Sequence, residues 1–210
     1  EEWKRLKRPR KVEDGELITL GFDGSESKDH TALIGTHVAS GYQWVVGYWE
    51  PRQLPNGELR SPVEEVKAAV DAAFERWEVW RMYADPFRWK SEIAEWSGKY
   101  NKPGRDAVEE FNTTQFRKMS YALAAFRTAI RAGDLTHDGD GRYEANIRNA
   151  HKVEMHFTDD EGEKMWILGK ERPDSPLKID AAIAGCLSWQ ARLDAIAAGF
   201  PEDTGGWIVR

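Results

Sequence analysis

The spacing of apolar residues changes period several times along this chain, and each change marks an element. Leu17-Ile18-Thr19-Leu20-Gly21-Phe22 is a short apolar run closed by Asp23-Gly24-Ser25, the pattern of a buried strand. Two more strand-like runs follow, Thr31 to Val38 and Tyr42 to Trp49, separated by Ala39-Ser40-Gly41. So short a connection predicts antiparallel pairing. From Pro62 the period becomes helical, with Val66, Ala69, Val70, Ala73, Phe74 and Trp77 on one face. Ser61 as N-cap and Pro62 as first residue predict a helix over 62–77. Val79 to Ala84 then reads as a strand that delivers Asp85 and is stopped by Pro86.

Lys90 to Tyr100 reads as a helix with Ile93 and Trp96 inward, and Ala107 to Asn112 as a strand. The clearest helical spacing, Phe116, Met119, Leu123, Phe126 and Ile130, predicts a helix over 115–132 closed by Gly133. Beyond it we expect a short helix over 143–151 and a hairpin over 153–170 turning at Asp159-Asp160-Glu161-Gly162. A final helix is expected from Ser175 (N-cap) and Pro176 to about Ala198. The order β-β-β-α-β-α-β-α predicts an α/β fold. Its mixed central sheet has three antiparallel strands, then parallel strands joined by crossover helices, with helices on its flanks and an added C-terminal hairpin. Residues 1–15, charged and without apolar periodicity, read as a linker remnant or tail, residues 16–200 as one domain, and residues 201–210 as a flexible tail.

Length and composition add limits. The 210 residues suit one domain, and ten Trp, eight Phe and six Tyr supply bulk for a core. No apolar run approaches the roughly 20 residues of a membrane span, and the N-terminus lacks the apolar stretch of a secretory signal. The single cysteine, Cys186, excludes an internal disulfide and a cysteine-based zinc cluster. These features predict a protein that is neither secreted nor membrane-bound.

Three carboxylates carry the candidate chemistry. Asp23 closes an apolar strand, Asp85 closes another, and Asp180 lies in the opening turns of an otherwise apolar helix. Each has an ordinary explanation: Asp-Gly and Asp-Pro are turn signals, and an acid near a helix N-terminus is favoured by the dipole. Together they point elsewhere. Converging carboxylates repel one another, and a divalent cation compensates them. Strand ends in a mixed sheet lie roughly 5 Å apart, a suitable mount for oxygen ligands in phosphodiester hydrolysis.

Four stretches then carry a family resemblance: GFDGSESKDHTALIG (21–35), YADPFRWKSEIAEW (83–96), GDLTHDGDGRYEANIRNA (133–150) and KERPDSPLKIDAAIAG (170–185). In this order the chain resembles the C-terminal nuclease domain of the large terminase subunit of tailed bacteriophages, a ribonuclease-H-like endonuclease. The resemblance implies that Asp23, Asp85 and Asp180 are catalytic metal ligands for Mg²⁺ or Mn²⁺, two ions in the DNA-bound state. It implies cleavage of concatemeric double-stranded viral DNA during genome packaging in the host cytoplasm. The implied partners are a terminase ATPase domain in the same full-length chain, a small terminase subunit and a portal. The sequence has no G-x-x-x-x-G-K-[ST] loop, so a nuclease domain without its motor is expected, with residues 1–15 left from an interdomain linker.

The net charge of −6 is unusual for a chain that grips DNA alone, and the motor would supply much of that grip. The one strongly basic run is Lys4, Arg5, Lys7, Arg8, Arg10 and Lys11, which reads as a solvated linker or a phosphate-contacting arm. Asp29 is a further acidic candidate, Lys170 and Lys178 are candidates for contact with a DNA phosphate, and His137 is a candidate for proton transfer. Competing readings are another ribonuclease-H-like nuclease, such as a junction resolvase or transposase core, and a non-catalytic packaging interaction domain. An actin-like or sugar-kinase half-domain would need a second glycine-rich phosphate loop and a second lobe.

Overall fold

The computed structural model describes residues 1–172 and 174–200; the expected tail at 201–210 lies outside the described residues. The first three apolar runs form β1 (Leu17–Asp23), β2 (Thr31–His37) and β3 (Tyr42–Trp49), paired antiparallel. A small exposed hairpin, β4 (Arg52–Gln53) and β5 (Leu59–Arg60), precedes α1 (Val63–Arg76). Next, β6 (Glu78–Ala84) pairs parallel with β1, and after α2 (Lys90–Tyr100), β7 (Val108–Glu110) pairs parallel with β6. Then come α3 (Phe116–Ala132), β8 (Thr136–His137), α4 (Gly141–Asn149), the hairpin β9 (His151–Thr158) and β10 (Lys164–Gly169), and α5 (Asp180–Ala197). The main sheet runs β7-β6-β1-β2-β3-β8, so the expected mixed sheet is present, with one short extra strand on its far edge.

Both faces of the sheet are covered. Ile18, Leu20, Phe22 and Leu33 pack with α1 and α2 on one side, and Ala32, Ile34 and Tyr83 pack with α3 and α5 on the other. That two-sided burial is why β2 is buried along its whole length. Helix α5 lies directly on β1. The Thr19 hydroxyl donates to the Ser188 carbonyl at 2.8 Å, and a Cβ on Gly21 would stand 1.9 Å from the Ala184 carbonyl oxygen. Only glycine permits this approach.

At three helix starts a side-chain contact sets a boundary different from the expected one. Helix α1 starts at Val63 because the Ser61 hydroxyl donates to the Ser25 carbonyl and meets Thr31 Oγ1 (3.3 Å) instead of capping the helix. Helix α4 occupies 141–149, two residues earlier than expected, because Asp140 Oδ1 accepts from the N–H groups of Arg142 (2.8 Å) and Tyr143 (3.4 Å). Helix α5 starts at Asp180, not at Pro176. Ser175 Oγ accepts only from the Leu177 N–H, at 3.2 Å, closing a local turn, and the helix itself begins where Asn146 of α4 caps it.

The N-terminal segment also packs. Trp3 and Leu6 in a 3₁₀ turn (Trp3–Leu6) and the later Val12 are buried. Trp3 stacks on His137 with ring centroids 4.1 Å apart, and the Tyr42 hydroxyl donates to the Arg10 carbonyl at 2.9 Å. These apolar anchors are too sparse for any periodicity to reveal them, and they bind residues 1–12 to the sheet.

Candidate active site

The register of the fold brings the three carboxylates to one edge. Asp23 is the last residue of β1, opposite Ala32. Asp85 follows β6, whose Ala84 lies beside Phe22, and its own N–H donates to the Phe22 carbonyl at 3.1 Å. Asp180 arrives from the helix. Thr19 meets Ser188 and Gly21 meets Ala184, so the next step places Asp23 level with Asp180. Two strand residues span about 6.8 Å and four helix residues about 6 Å, so the two ladders stay in step.

Two of the three are almost removed from water. Asp85 is 8% exposed, and its carboxylate accepts from Thr113 Oγ1 at 2.9 Å and from the Thr113 N–H at 3.4 Å. Asp180 is 7% exposed, and its Oδ2 has no hydrogen-bond partner among the described residues. Burial, then the nearby charge of Asp29, pushes the Asp180 carboxyl up to about 6. Burial is also the largest cause for Asp23, followed by the charges of Asp180, Asp85 and Asp29, and holds it well above the ordinary range. Asp23 keeps some solvent contact, which softens that direction without reversing it. Asp85 is raised by burial and drawn back by its bonds to Thr113 and the Phe87 N–H.

Buried, mutually repelling carboxylates with an unsatisfied oxygen are a donor set suited to a hard divalent cation. Asp23, Asp85 and Asp180 are the residues that would hold it. Among the described residues no three acidic, imidazole or thiol groups form a ready ligand set. Asp23 stands within electrostatic range of both Asp180 and Asp85.

Three secondary candidates gather at the same edge. Asp29 accepts from Lys170 Nζ at 2.5 Å and Lys178 Nζ at 2.9 Å, and Lys178 also donates to the Lys28 carbonyl at 2.8 Å. Burial pushes the Asp29 carboxyl up, but the two lysines win and hold it below the ordinary value. These contacts tie the loop after β1 to the segment between β10 and α5. His137 lies elsewhere. It pairs beside Gln43 at the start of β3, the opposite end of the sheet, with Nε2 2.8 Å from the Trp3 carbonyl and Nδ1 accepting from the Gly139 N–H at 3.0 Å. The structure thus gives His137 a packing role, held in place by the N-terminal segment.

Sequence reasoning missed the groups that hold the acids. Thr113 grips Asp85, and Asn146 caps α5 by accepting from the Ala181 N–H at 3.0 Å. Asn146 Nδ2 donates to the Tyr48 hydroxyl at 3.1 Å, and that hydroxyl lies 2.7 Å from His30 Nδ1. A buried face of α4 formed by Tyr143 and Asn146, three residues apart, was the available clue.

Comparison with known proteins bears on the fold. No family model matches the chain. It is 32% identical over 189 residues to the gene 13 protein of Mycobacterium phage D29 and 31% identical to that of Mycobacterium phage L5. The matched region is 87% of this chain but only 30% of those proteins, so the chain spans about 30% of the length of its curated relatives. Among solved structures, the large terminase nuclease of thermophilic phage G20c aligns with TM-score 0.59 at 12% identity, covering 88% of this chain and 91% of that one. The same nuclease with bound magnesium aligns at 0.57 and 13%, over 88% and 90%. The HK97 bacteriophage large terminase aligns at 0.61 and 18%, over 91% of this chain and 42% of that one. With its mixed six-stranded sheet and flanking helices, this chain has the ribonuclease-H-like fold of the nuclease domains of phage large terminases.

Proposed function

We propose that this chain is a divalent-metal-dependent DNA endonuclease that cuts double-stranded viral DNA during genome packaging. The observation that carries this reading is the meeting of Asp23, Asp85 and Asp180 at one sheet edge, two of them buried and one with an unpartnered oxygen. Mg²⁺ or Mn²⁺ held there, two ions with DNA bound, would supply Lewis-acid polarisation of the phosphate and neutralise charge. The protein's own contribution is placement. Thr113 fixes the Asp85 carboxylate, the α5–β1 contact at Gly21 sets Asp180 level with Asp23, and Asn146 secures the helix start. Lys170 and Lys178 stand at the rim, paired to Asp29, where they can turn to a phosphate oxygen.

The share of the D29 and L5 proteins that this chain matches is consistent with a nuclease region of a longer packaging protein. In that setting a translocating ATPase domain, a small terminase subunit and a portal are its partners, and the host cytoplasm its place of action. No described helix is long and apolar enough to cross a membrane.

The test is nicking of supercoiled plasmid by the 210-residue chain in Mg²⁺, in Mn²⁺ and in EDTA. Nicking in both metals, abolished by EDTA and by Asp23→Asn, is expected. A chain that binds neither metal and leaves plasmid intact would instead be a non-catalytic packaging domain.

A further inference from the structure

Beside Asp85 the chain holds a large aromatic ring out into solvent. Phe87 is 61% exposed, the most exposed large apolar side chain among the described residues. It is not on a loose tip. Two residues later Trp89 is buried, its ring 5.1 Å from Phe22, and it packs so closely against Gly24 that a Cβ there would meet its indole nitrogen at 2.5 Å. Between them Arg88 adopts φ 62, and among the described residues it is the one non-glycine residue in the left-handed region. A backbone conformation that L side chains disfavour is thus retained in a turn that points Phe87 outward.

Cationic and polar residues stand around the ring, over a lining whose exposed atoms are mostly apolar. An open cavity of about 530 Å³ is lined by Phe87, Arg88, Lys90, Ser91, Asn112 and Thr114. Arg88 is exposed, lies over the Phe87 ring at 5.3 Å and pairs with Glu26 at 2.5 Å. The cavity adjoins the acid edge through the chain: the Phe87 N–H bonds the Asp85 carboxylate, and Thr113, which also bonds it, lies between the lining residues Asn112 and Thr114.

We propose that the Pro86–Lys90 turn is a contact site for the DNA duplex flanking the cut, with Phe87 seated in the minor groove and Arg88 and Lys90 on adjacent phosphates. It rests on the endonuclease reading of the neighbouring acids. An exposed aromatic beside two cations suits this surface, since minor-groove proteins press apolar side chains against base steps while cations hold the backbone. Asn112 adds an amide donor that suits sugar and phosphate oxygens, and the Ser91 and Thr114 hydroxyls, which donate to Glu92 at 2.9 Å and to Asn112 at 2.6 Å, would exchange those partners for DNA oxygens. Arg88 would exchange Glu26 for a phosphate, keeping the planar fork that both partners accept.

The experiment measures binding of a fluorescent 30-base-pair duplex in Ca²⁺ by anisotropy at several salt concentrations, alongside plasmid nicking in Mn²⁺. Phe87→Ala should weaken binding by about fivefold or more, the effect of losing one aromatic contact to a base. Phe87→Trp should restore it. Arg88→Asn keeps a residue tolerant of the left-handed turn and should lower the slope of log affinity against log salt by about 0.9. All three should melt with the parent, and their nicking rate at saturating DNA should stay near the parent's while the DNA needed for half-maximal rate rises. If the parent nicks while Phe87→Ala and Arg88→Asn bind and nick as it does, the proposal is overturned. If the parent binds duplex but never nicks, and Phe87→Ala still loses binding, the contact site stands and the endonuclease reading falls. A parent that does not bind duplex at low salt overturns the contact site.

Discussion

Replacing Asp180 by asparagine separates a metal-site acid from an ordinary helix-start acid, because the two respond to pH with opposite sign. The folded protein raises this carboxyl from its ordinary 3.8 to about 6, burial being the largest cause and the charge of Asp29 the next. Between those values the folded state binds more protons than the unfolded state, so stability falls as pH rises through that window. Above about 6 the full penalty is present, and at 1.36 kcal/mol per pH unit it amounts to about 3 kcal/mol. At pH 4.5 only about 1 kcal/mol of it has developed. Asparagine cannot ionise, and whatever its buried amide costs is independent of pH. The stability of Asp180→Asn relative to the parent should therefore be about 2 kcal/mol more favourable at pH 8 than at pH 4.5. For a chain of this size that is about 4–8 °C in relative melting temperature. Urea or thermal unfolding in EDTA at the two pH values measures it. A helix-dipole acid would have its carboxyl lowered, and the variant would then lose ground at pH 8. That opposite sign, or no pH effect, would refute the reasoning. In Mn²⁺ the order reverses, since a cation at 100 times its dissociation constant adds about 2.7 kcal/mol to the state that binds it. The parent should gain most of that and the variant little, with plasmid nicking lost.

Gly21→Ala tests the contact that sets the site. Its Cβ would lie 1.9 Å from the Ala184 carbonyl, a backbone atom that cannot step aside unless α5 moves, so a loss of about 3 kcal/mol or more is expected. Metal-dependent nicking should fall with it because Asp180 travels with α5, and a variant that melts and cuts like the parent would break the proposed register. Trp3→Ala tests the N-terminal anchor. Trp3 is buried, stacks on His137 and meets the edge of Tyr143 at 4.9 Å, so its truncation should cost about 3 kcal/mol in chemical denaturation. A loosely attached linker would lose almost nothing.

Much of the architecture was legible in the chain because period and punctuation are local properties. The runs at 17–22, 31–38 and 42–49 became β1 to β3, and the 3.6-residue spacing from Phe116 became α3, closed by Gly133 at φ 84. That Asp23 and Asp85 each end a strand was likewise visible, since Gly24 and Pro86 stop the pattern. What holds these acids was not visible, because it depends on residues distant in sequence. Asp85 is gripped by Thr113, 28 residues away, and the start of α5 is set by Asn146, 35 residues before the N–H it accepts from. The Ser175-Pro176 signal therefore marked a turn, and the helix began where a tertiary cap was available. The N-terminal segment shows the same limit. Six basic residues dominate its composition, yet Trp3, Leu6 and Val12 decide its place, and three apolar side chains without a period point to no partner until His137 and Tyr143 are brought beside one of them. Chemistry-bearing residues could be named from the sequence because strand ends and helix starts are local. Their common edge, the raised carboxyls and the outward Phe87 exist only once α5 lies on β1 and Trp89 is seated under Gly24, since burial and charge repulsion belong to the packed molecule.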